Sequence, residues 1–219
     1  MITVSLDRPW LIARFAAPLR VLSWAPYGAG YVMAQSVVWR EVRNADLPEG
    51  FDVDPWFASE MAQHVGAVGM ITSRDIATFT QATVVIDSVT AQCVATVGLT
   101  NAEAVGTRRS FEPADFGTIN LCVATDLGLT EAAQLEALSI AIQARTAAVL
   151  AAGVTLPTGL ATGTGTDCAA LACPPGSARY AGLHTPLGEA VGAAVSAAVA
   201  QGAEAWKLWF AGALAAKIP

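Results

Sequence analysis

The sequence predicts an α+β protein, a single layered domain over residues 1–219 with a mixed, mostly antiparallel sheet and about three helices. Three observations carry that prediction. Short apolar, partly β-branched runs crowd the first half of the chain. The two longest helical patterns come late and singly, and regular strand–helix alternation is absent. Of the 219 residues, 54% are apolar and only 14% charged. An average domain has roughly 25% charged residues, so this chain buries a large fraction of itself and is not disordered.

The elements follow in order. Residues 10–15 and 19–24 read as two strands punctuated by Pro18, and the turn-rich run Ala25-Pro26-Tyr27-Gly28-Ala29-Gly30 leads into a third strand at 31–42. The polar stretch 44–54 is a surface connection. Asp54-Pro55 starts a helix that ends near Gly66, with Asp as N-cap and Pro at the first helical position. Strands are expected at 67–72, 78–87, 92–99 and 118–124, and the long polar segment 101–116 between the last two is of the kind that carries function. Thr130 caps the clearest helix, 131–152, and Gly153 stops it. Residues 160–172 form a strand interrupted by Gly163 and Gly165. Thr185-Pro186 repeats the capping signature and opens a final helix to about Ala215.

Charge and hydropathy exclude several functions. A net charge of −6 and a pI near 4.8 argue against nucleic acid, because phosphate binding needs clustered Lys and Arg and only Arg108-Arg109 are adjacent here. The mean hydropathy is +0.48, yet no charge-free apolar run reaches membrane-spanning length. The nearest, 192–215, is broken by Gln201, Glu204 and Lys207. The first residues lack the basic and apolar regions of a secretion signal. Cys93, Cys122 and Cys168 sit in apolar runs, and Cys173 has no histidine near it, so all four read as reduced core thiols of a cytoplasmic protein.

Three polar loops stand out: Thr100-Asn101-Ala102-Glu103, Gly117-Thr118-Ile119-Asn120, and Ala161-Thr162-Gly163-Thr164-Gly165-Thr166-Asp167. Glycines inside an apolar strand mark either a plain bulge or the close approach of a ligand to the backbone. The third loop is not a P-loop, since no Gly-Lys-Ser/Thr follows. Of two histidines, His64 ends the first helix and reads as a cap or surface residue. His184 precedes the last helix, where the partial positive charge keeps an imidazole neutral and able to act as a base. Glu189 in that helix's first turn complements the dipole or serves the site. His184, Asp167 and Glu189 also form a conceivable metal set, but with one usable histidine the expectation is no metal.

These runs, in order, resemble the adenosylcobinamide amidohydrolase family. The resemblance rests on Thr100-Asn101-Ala102, Gly117-Thr118-Ile119-Asn120, the helix through 144–150, the run 161–167, and Tyr180-Ala181-Gly182-Leu183-His184-Thr185-Pro186-Leu187-Gly188-Glu189, with Ala25–Gly30 as its Gly-rich turn. It extends from Arg20 to Ala200. It departs from the family pattern at Gly28-Ala29-Gly30, at Arg108, and at Gln143-Ala144-Arg145 where Glu-Ala-Lys is usual. What it implies is a corrinoid-salvage hydrolase. Such an enzyme cuts the amide between a propionyl side chain of the corrin and aminopropanol, turning adenosylcobinamide into adenosylcobyric acid, and some bacterial members also act on a complete cobamide. No cofactor is expected, because the corrinoid is the substrate.

Amide hydrolysis needs a base, a donor to the carbonyl and water. His184 or Asp167 is the candidate base, with Asn101, Asn120 or the backbone N–H groups of 163–166 holding the oxyanion. Thr166 is the rival nucleophile. Thr100, Thr118, Asn120, Thr164, Gly165, Glu189, Gly28 and Gly30 are the candidate substrate contacts. Trp10, Trp24, Trp39, Trp56 or the pair Trp206/Trp209 are candidates to face the corrin. A corrinoid carrier without activity, or a hydrolase of another small amide, are the alternatives. The apolar composition also suggests a homo-oligomer.

Overall fold

A computed structural model describes residues 1–43, 46–48, 50–107 and 117–215. The chain opens with a hairpin, β1 (Ile2–Asp7) against β2 (Trp10–Ser23), followed by β3 (Gly30–Glu41), α1 (Val53–Met61), β4 (Ala67–Thr72), β5 (Thr80–Ile86) and β6 (Val89–Val97). The short β7 (Ala102–Glu103) precedes β8 (Ile119–Thr125) and α2 (Glu131–Ala151). Three two-residue strands, β9 (Thr155–Leu156), β10 (Gly159–Leu160) and β11 (Gly163–Thr164), lead to β12 (Cys168–Cys173) and α3 (Pro186–Ala215). The main sheet has eight strands in the order β4-β3-β2-β12-β8-β6-β5, with β1 beside the first half of β2. Only β3–β4 and β12–β8 are parallel, joined across α1 and α2. This is the expected mixed, mostly antiparallel α+β architecture, with three helices among the described residues.

Local chemistry explains most elements. Ile2, Val4 and Leu6 alternate with Thr3, Ser5 and Asp7, the period-2 pattern of a half-buried strand. The two strands expected at 10–15 and 19–24 are one. Pro18 lacks an N–H, but β2 passes it with a register irregularity: Arg14 pairs Ser36 while Leu19 pairs Ala34. Asp87 and Ser88 both take positive φ, closing the tight β5–β6 turn. Helix α1 starts earlier than expected, at Val53. Thr130 caps α2 by accepting from Ala133 N at 3.2 Å, and Thr185 caps α3 by accepting from Gly188 N at 3.0 Å. The glycine-interrupted strand expected at 160–172 is regular only over β12. The Thr/Gly run before it is an irregular loop that touches β7.

One face of the sheet packs on α2 and α3, where Cys93, Leu121 and Leu171 meet Ala137, Ala141, Val195 and Ala198. Alanines on both helices let them lie close to the sheet. Val37, Trp39 and Val68 point to the other face together with Val94, Cys122 and Ala170. The sheet curls so far that its distant strands touch. Asn120 on β8 donates Nδ2–H to the Ile71 carbonyl of β4 at 2.8 Å, although three strands separate them in the sheet order. The loop after β2 helps close the gap, since Tyr27 and Gly69 exchange backbone hydrogen bonds of 3.3 and 2.9 Å. Helix α1 covers the outer side of β2–β4 through Phe57 and Met61.

His64 lies just beyond α1, edge-on to Trp10 at 4.2 Å between ring centroids, with its buried Nε2 unpartnered. Burial, and secondarily Arg14, push its pKa below the ordinary value. The unfolded chain therefore binds this proton more tightly than the folded one. The stability it contributes is full above the unfolded pKa of about 6.5 and falls as pH drops through that value. Urea midpoints measured from pH 7.5 to 5 should decline for the wild type and flatten for His64→Gln. Equal slopes for the two proteins would exclude His64 as the cause.

Candidate active site

The curled sheet opens at one end, where β8 and β12 begin and β4 and β6 finish. A cavity of about 280 Å³ lies there, lined among others by Asn101, Gly117, Thr118, Asn120, Thr166 and Cys168. Alternation along β8 sends Ile119 and Leu121 towards the helices and Asn120 into the curl, where it is buried. The Thr118 hydroxyl lies 3.2 Å from Asn120 Oδ1 and 2.8 Å from the Thr166 carbonyl. These contacts tie β4, β8 and the loop before β12 around the cavity. Thr166 donates its own hydroxyl to Gly117 O at 3.2 Å. Burial pushes the Cys168 thiol up to about 12, so it stays protonated at neutral pH and is a poor nucleophile.

Asp167 organises the same loop. Its Oδ1 accepts from Ile119 N at 3.0 Å and Thr164 Oγ1 at 2.5 Å. Its Oδ2 accepts from Thr164 N at 3.0 Å and from Arg145 of α2 in a buried ion pair. A carboxylate that accepts four hydrogen bonds has little left for activating water. Asp167 instead clamps loop, sheet and helix together. Gly163 is required beside it, because a Cβ there would run into both Arg145 and Asp167.

Gly117 has a second role. A Cβ on it would stand 2.8 Å from Thr100 N and 2.9 Å from Asn101 N. Neither of these successive amides has a hydrogen-bond acceptor among the described residues. Two adjacent N–H groups beside a bare glycine can hold an oxyanion. The sequence reading placed oxyanion donors on side chains or on 163–166 and missed these two. Of the amides in 163–166, Thr164 N is held by Asp167 and Gly165 N by Asn101 O at 3.2 Å. The signal was the closeness of Gly117 to Thr100-Asn101, which only the tertiary fold creates.

The structure gathers Asn101, Thr118, Asn120, Thr166 and, just outside, Thr100, Thr164, Gly165 and Asp167. It does not bring His184 or Glu189 to them. Both are exposed, near Glu136 of α2, whose carboxylate accepts from Ala181 N. Trp206, at the far end of α3, borders a cavity that also touches Gly117. Twenty residues of helix between Pro186 and Trp206, at 1.5 Å each, separate the ends by about 30 Å. Gly28 and Gly30 adopt φ of 76° and 81°, as a tight turn requires, and Pro26 of that turn reaches the cavity. Trp39 and Trp10 are core residues, whereas Trp24 is half-exposed over a shallow depression beside Gly163–Gly165, its Nε1 donating to Asp167 O at 2.8 Å. Arg108 and residues 109–116 of the long loop lie outside the described residues. Among the described residues no three His, Cys, Asp or Glu side chains group as metal ligands, and no helix is long and apolar enough to cross a membrane.

Comparison with known proteins gives three findings. The chain is similar to a protein of Halobacterium salinarum named adenosylcobinamide amidohydrolase, 37% identical over 113 residues. The match spans 48% of this chain and 46% of that relative, so it covers about half the relative's length. Among solved structures it is similar to the PH0078 protein from Pyrococcus horikoshii OT3, with a TM-score of 0.41 and 11% identity over 88% of this chain and 76% of that one. The family model described as adenosylcobinamide amidohydrolase matches residues 2–209, which takes in every strand of the sheet and all but the last six residues of α3. On that match the chain belongs to the adenosylcobinamide amidohydrolase family.

Proposed function

We propose that this protein hydrolyses the amide joining aminopropanol to the corrin side chain of adenosylcobinamide, as a step of corrinoid salvage. The observation that carries this reading is the family match over residues 2–209, together with a donor-lined cavity at the strand ends. Water adds to the amide carbon, and the oxygen that becomes negative sits against the N–H groups of Thr100 and Asn101. One such donor is worth about 2.7–4 kcal/mol in a transition state. Collapse breaks the C–N bond, the amine leaves with a proton, and the acid product ionises. Only water is consumed, so no cofactor enters. Asn101 and the hydroxyls of Thr118 and Thr166 orient the amide and water, and Asp167 holds the loop that carries them. The half-exposed Trp24 gives the corrin an apolar surface next to the site. A reducing, cytoplasmic setting suits the four free, buried cysteines.

The test is to incubate the purified protein with adenosylcobinamide and follow aminopropanol by mass spectrometry. The expected result is release of one equivalent with adenosylcobyric acid as the partner product. Corrinoid binding without release would mean a carrier, and neither binding nor release would mean another amide is the substrate.

A further inference from the structure

A second cavity, of about 240 Å³, adjoins the first and shares Val42, Ser73 and Gly117 with it. It lies between the turn after β4 and the end of α3, and its polar side-chain lining is unusual. Arg74 is only 8% exposed. Its backbone N–H is satisfied by Thr72 Oγ1 and its guanidinium lies 5.1 Å from the Trp209 ring centroid. Among the described residues that guanidinium makes no hydrogen bond or ion pair. The acids beside it are engaged elsewhere: Glu41 and Asp75 both pair with Arg8, and the other cation of the lining, Arg43, pairs with Asp46. Burial lowers the pKa of Arg74, but a guanidinium keeps its proton in proteins. Its only counter-charge among the described residues is Asp75, which acts on it through space without a direct contact and is itself paired with Arg8, so the cation reaches the cavity with its hydrogen-bonding capacity unused. Trp206 lines the same cavity, and its buried Nε1–H is also without a partner.

The lining thus presents a cation that, among the described residues, has no hydrogen-bonded partner, while the lining's two carboxylates are engaged with Arg8. We infer that this cavity is an oxyanion subsite in which Arg74 binds a phosphate ester or carboxylate of the molecule processed next door. Gly117 lines both cavities, so the anion site and the proposed reaction site are neighbours. For its setting this inference rests on the proposed hydrolase reading, because cobinamide itself carries no anionic group to meet Arg74, while a phosphorylated substrate, or the carboxylate that hydrolysis creates, would supply one.

The experiment is thermal melting of the full chain in inorganic phosphate or in acetate, with ionic strength held constant by chloride. At about ten times the dissociation constant the wild type should melt roughly 3–5 °C higher. Arg74→Met should melt at or above the wild-type temperature without anion, since an unpaired charge has been removed, and should show no anion shift. Arg74→Lys should keep part of the shift. A shift in phosphate alone assigns a phosphate ester, and one in acetate alone assigns the carboxylate. No shift in the wild type, an equal shift in Arg74→Met, or an Arg74→Met protein that melts well below wild type would each overturn the subsite. The aminopropanol assay separates the two readings. An Arg74-dependent shift without release removes the hydrolase reading and leaves the subsite, whereas release without any shift does the reverse.

Discussion

Asp167→Asn should melt far below the wild type. The change keeps size and shape but removes the anionic partner that Arg145 has among the described residues, leaves that 13%-exposed side chain stranded, and faces an amide –NH₂ towards a cluster of donors. Removing one member of a buried ion pair costs about 3–5 kcal/mol, because the remaining charge stays desolvated and unpaired. In a domain of this size each kcal/mol moves the melting temperature by about 2–4 °C, so the expected loss is roughly 6–20 °C. Ile119 N and Thr164 would lose the strength of a charged acceptor as well. The double variant Arg145→Gln/Asp167→Asn should recover part of the loss, since it removes the stranded cation, and a thermodynamic cycle over the four proteins would give the coupling. A melting temperature within 2 °C of wild type, joined to a kcat lowered about 10²–10⁴-fold, would restore Asp167 as a catalytic base.

How far the sequence foretold this arrangement depends on the range of each signal. Local patterns were legible. The Thr130 and Thr185 caps, β4 at 67–72 and the late helices follow from residues within a turn or two of each other. The fusion of 10–15 with 19–24 was not, because whether Pro18 ends a strand or makes it bulge depends on how β3 pairs with it. For the site, the polar runs around Asn101, Thr118 and Asp167 stood out against an apolar background, and the fold does bring them together. The parallel β8–β12 pair sets Asn120 opposite Cys168, which fixes Thr118 beside the loop that ends in Asp167. His184 belongs to an equally conspicuous run, but α3 lies alongside α2 in the same direction and starts at the other end of the molecule. Nothing in the residues around Arg145 and Arg74 distinguishes them from ordinary solvated charges. Their burial, one paired and one unpaired, is a property of the packed helix ends and is invisible to spacing.

Gly117→Ala should be the most damaging single change to activity that leaves a folded protein. The added Cβ would stand 2.8 and 2.9 Å from the amide nitrogens of Thr100 and Asn101 and 3.1 Å from Gly98 O, all backbone atoms that cannot swing aside. The loop must retreat by several tenths of an ångström, and the two N–H groups lose the place where an oxyanion would sit. Overpacking of this kind costs about 1–3 kcal/mol of stability, which leaves a protein of ordinary stability folded. Losing an oxyanion donor costs about 10²–10³-fold in kcat, and both donors are displaced here. The expected signature is therefore a kcat lowered at least a hundredfold with KM little changed, because the donors act on charge that develops only in the transition state. His184→Gln is the matched control. That residue is exposed and about 30 Å from the cavity along α3, so its rate should stay within about twofold of wild type, below the roughly 10²-fold loss of a general base. A Gly117→Ala enzyme that retains more than a fifth of the wild-type kcat would remove the Thr100 and Asn101 amides from the mechanism. A His184→Gln enzyme that loses a hundredfold or more would place the chemistry at the opposite end of the helix.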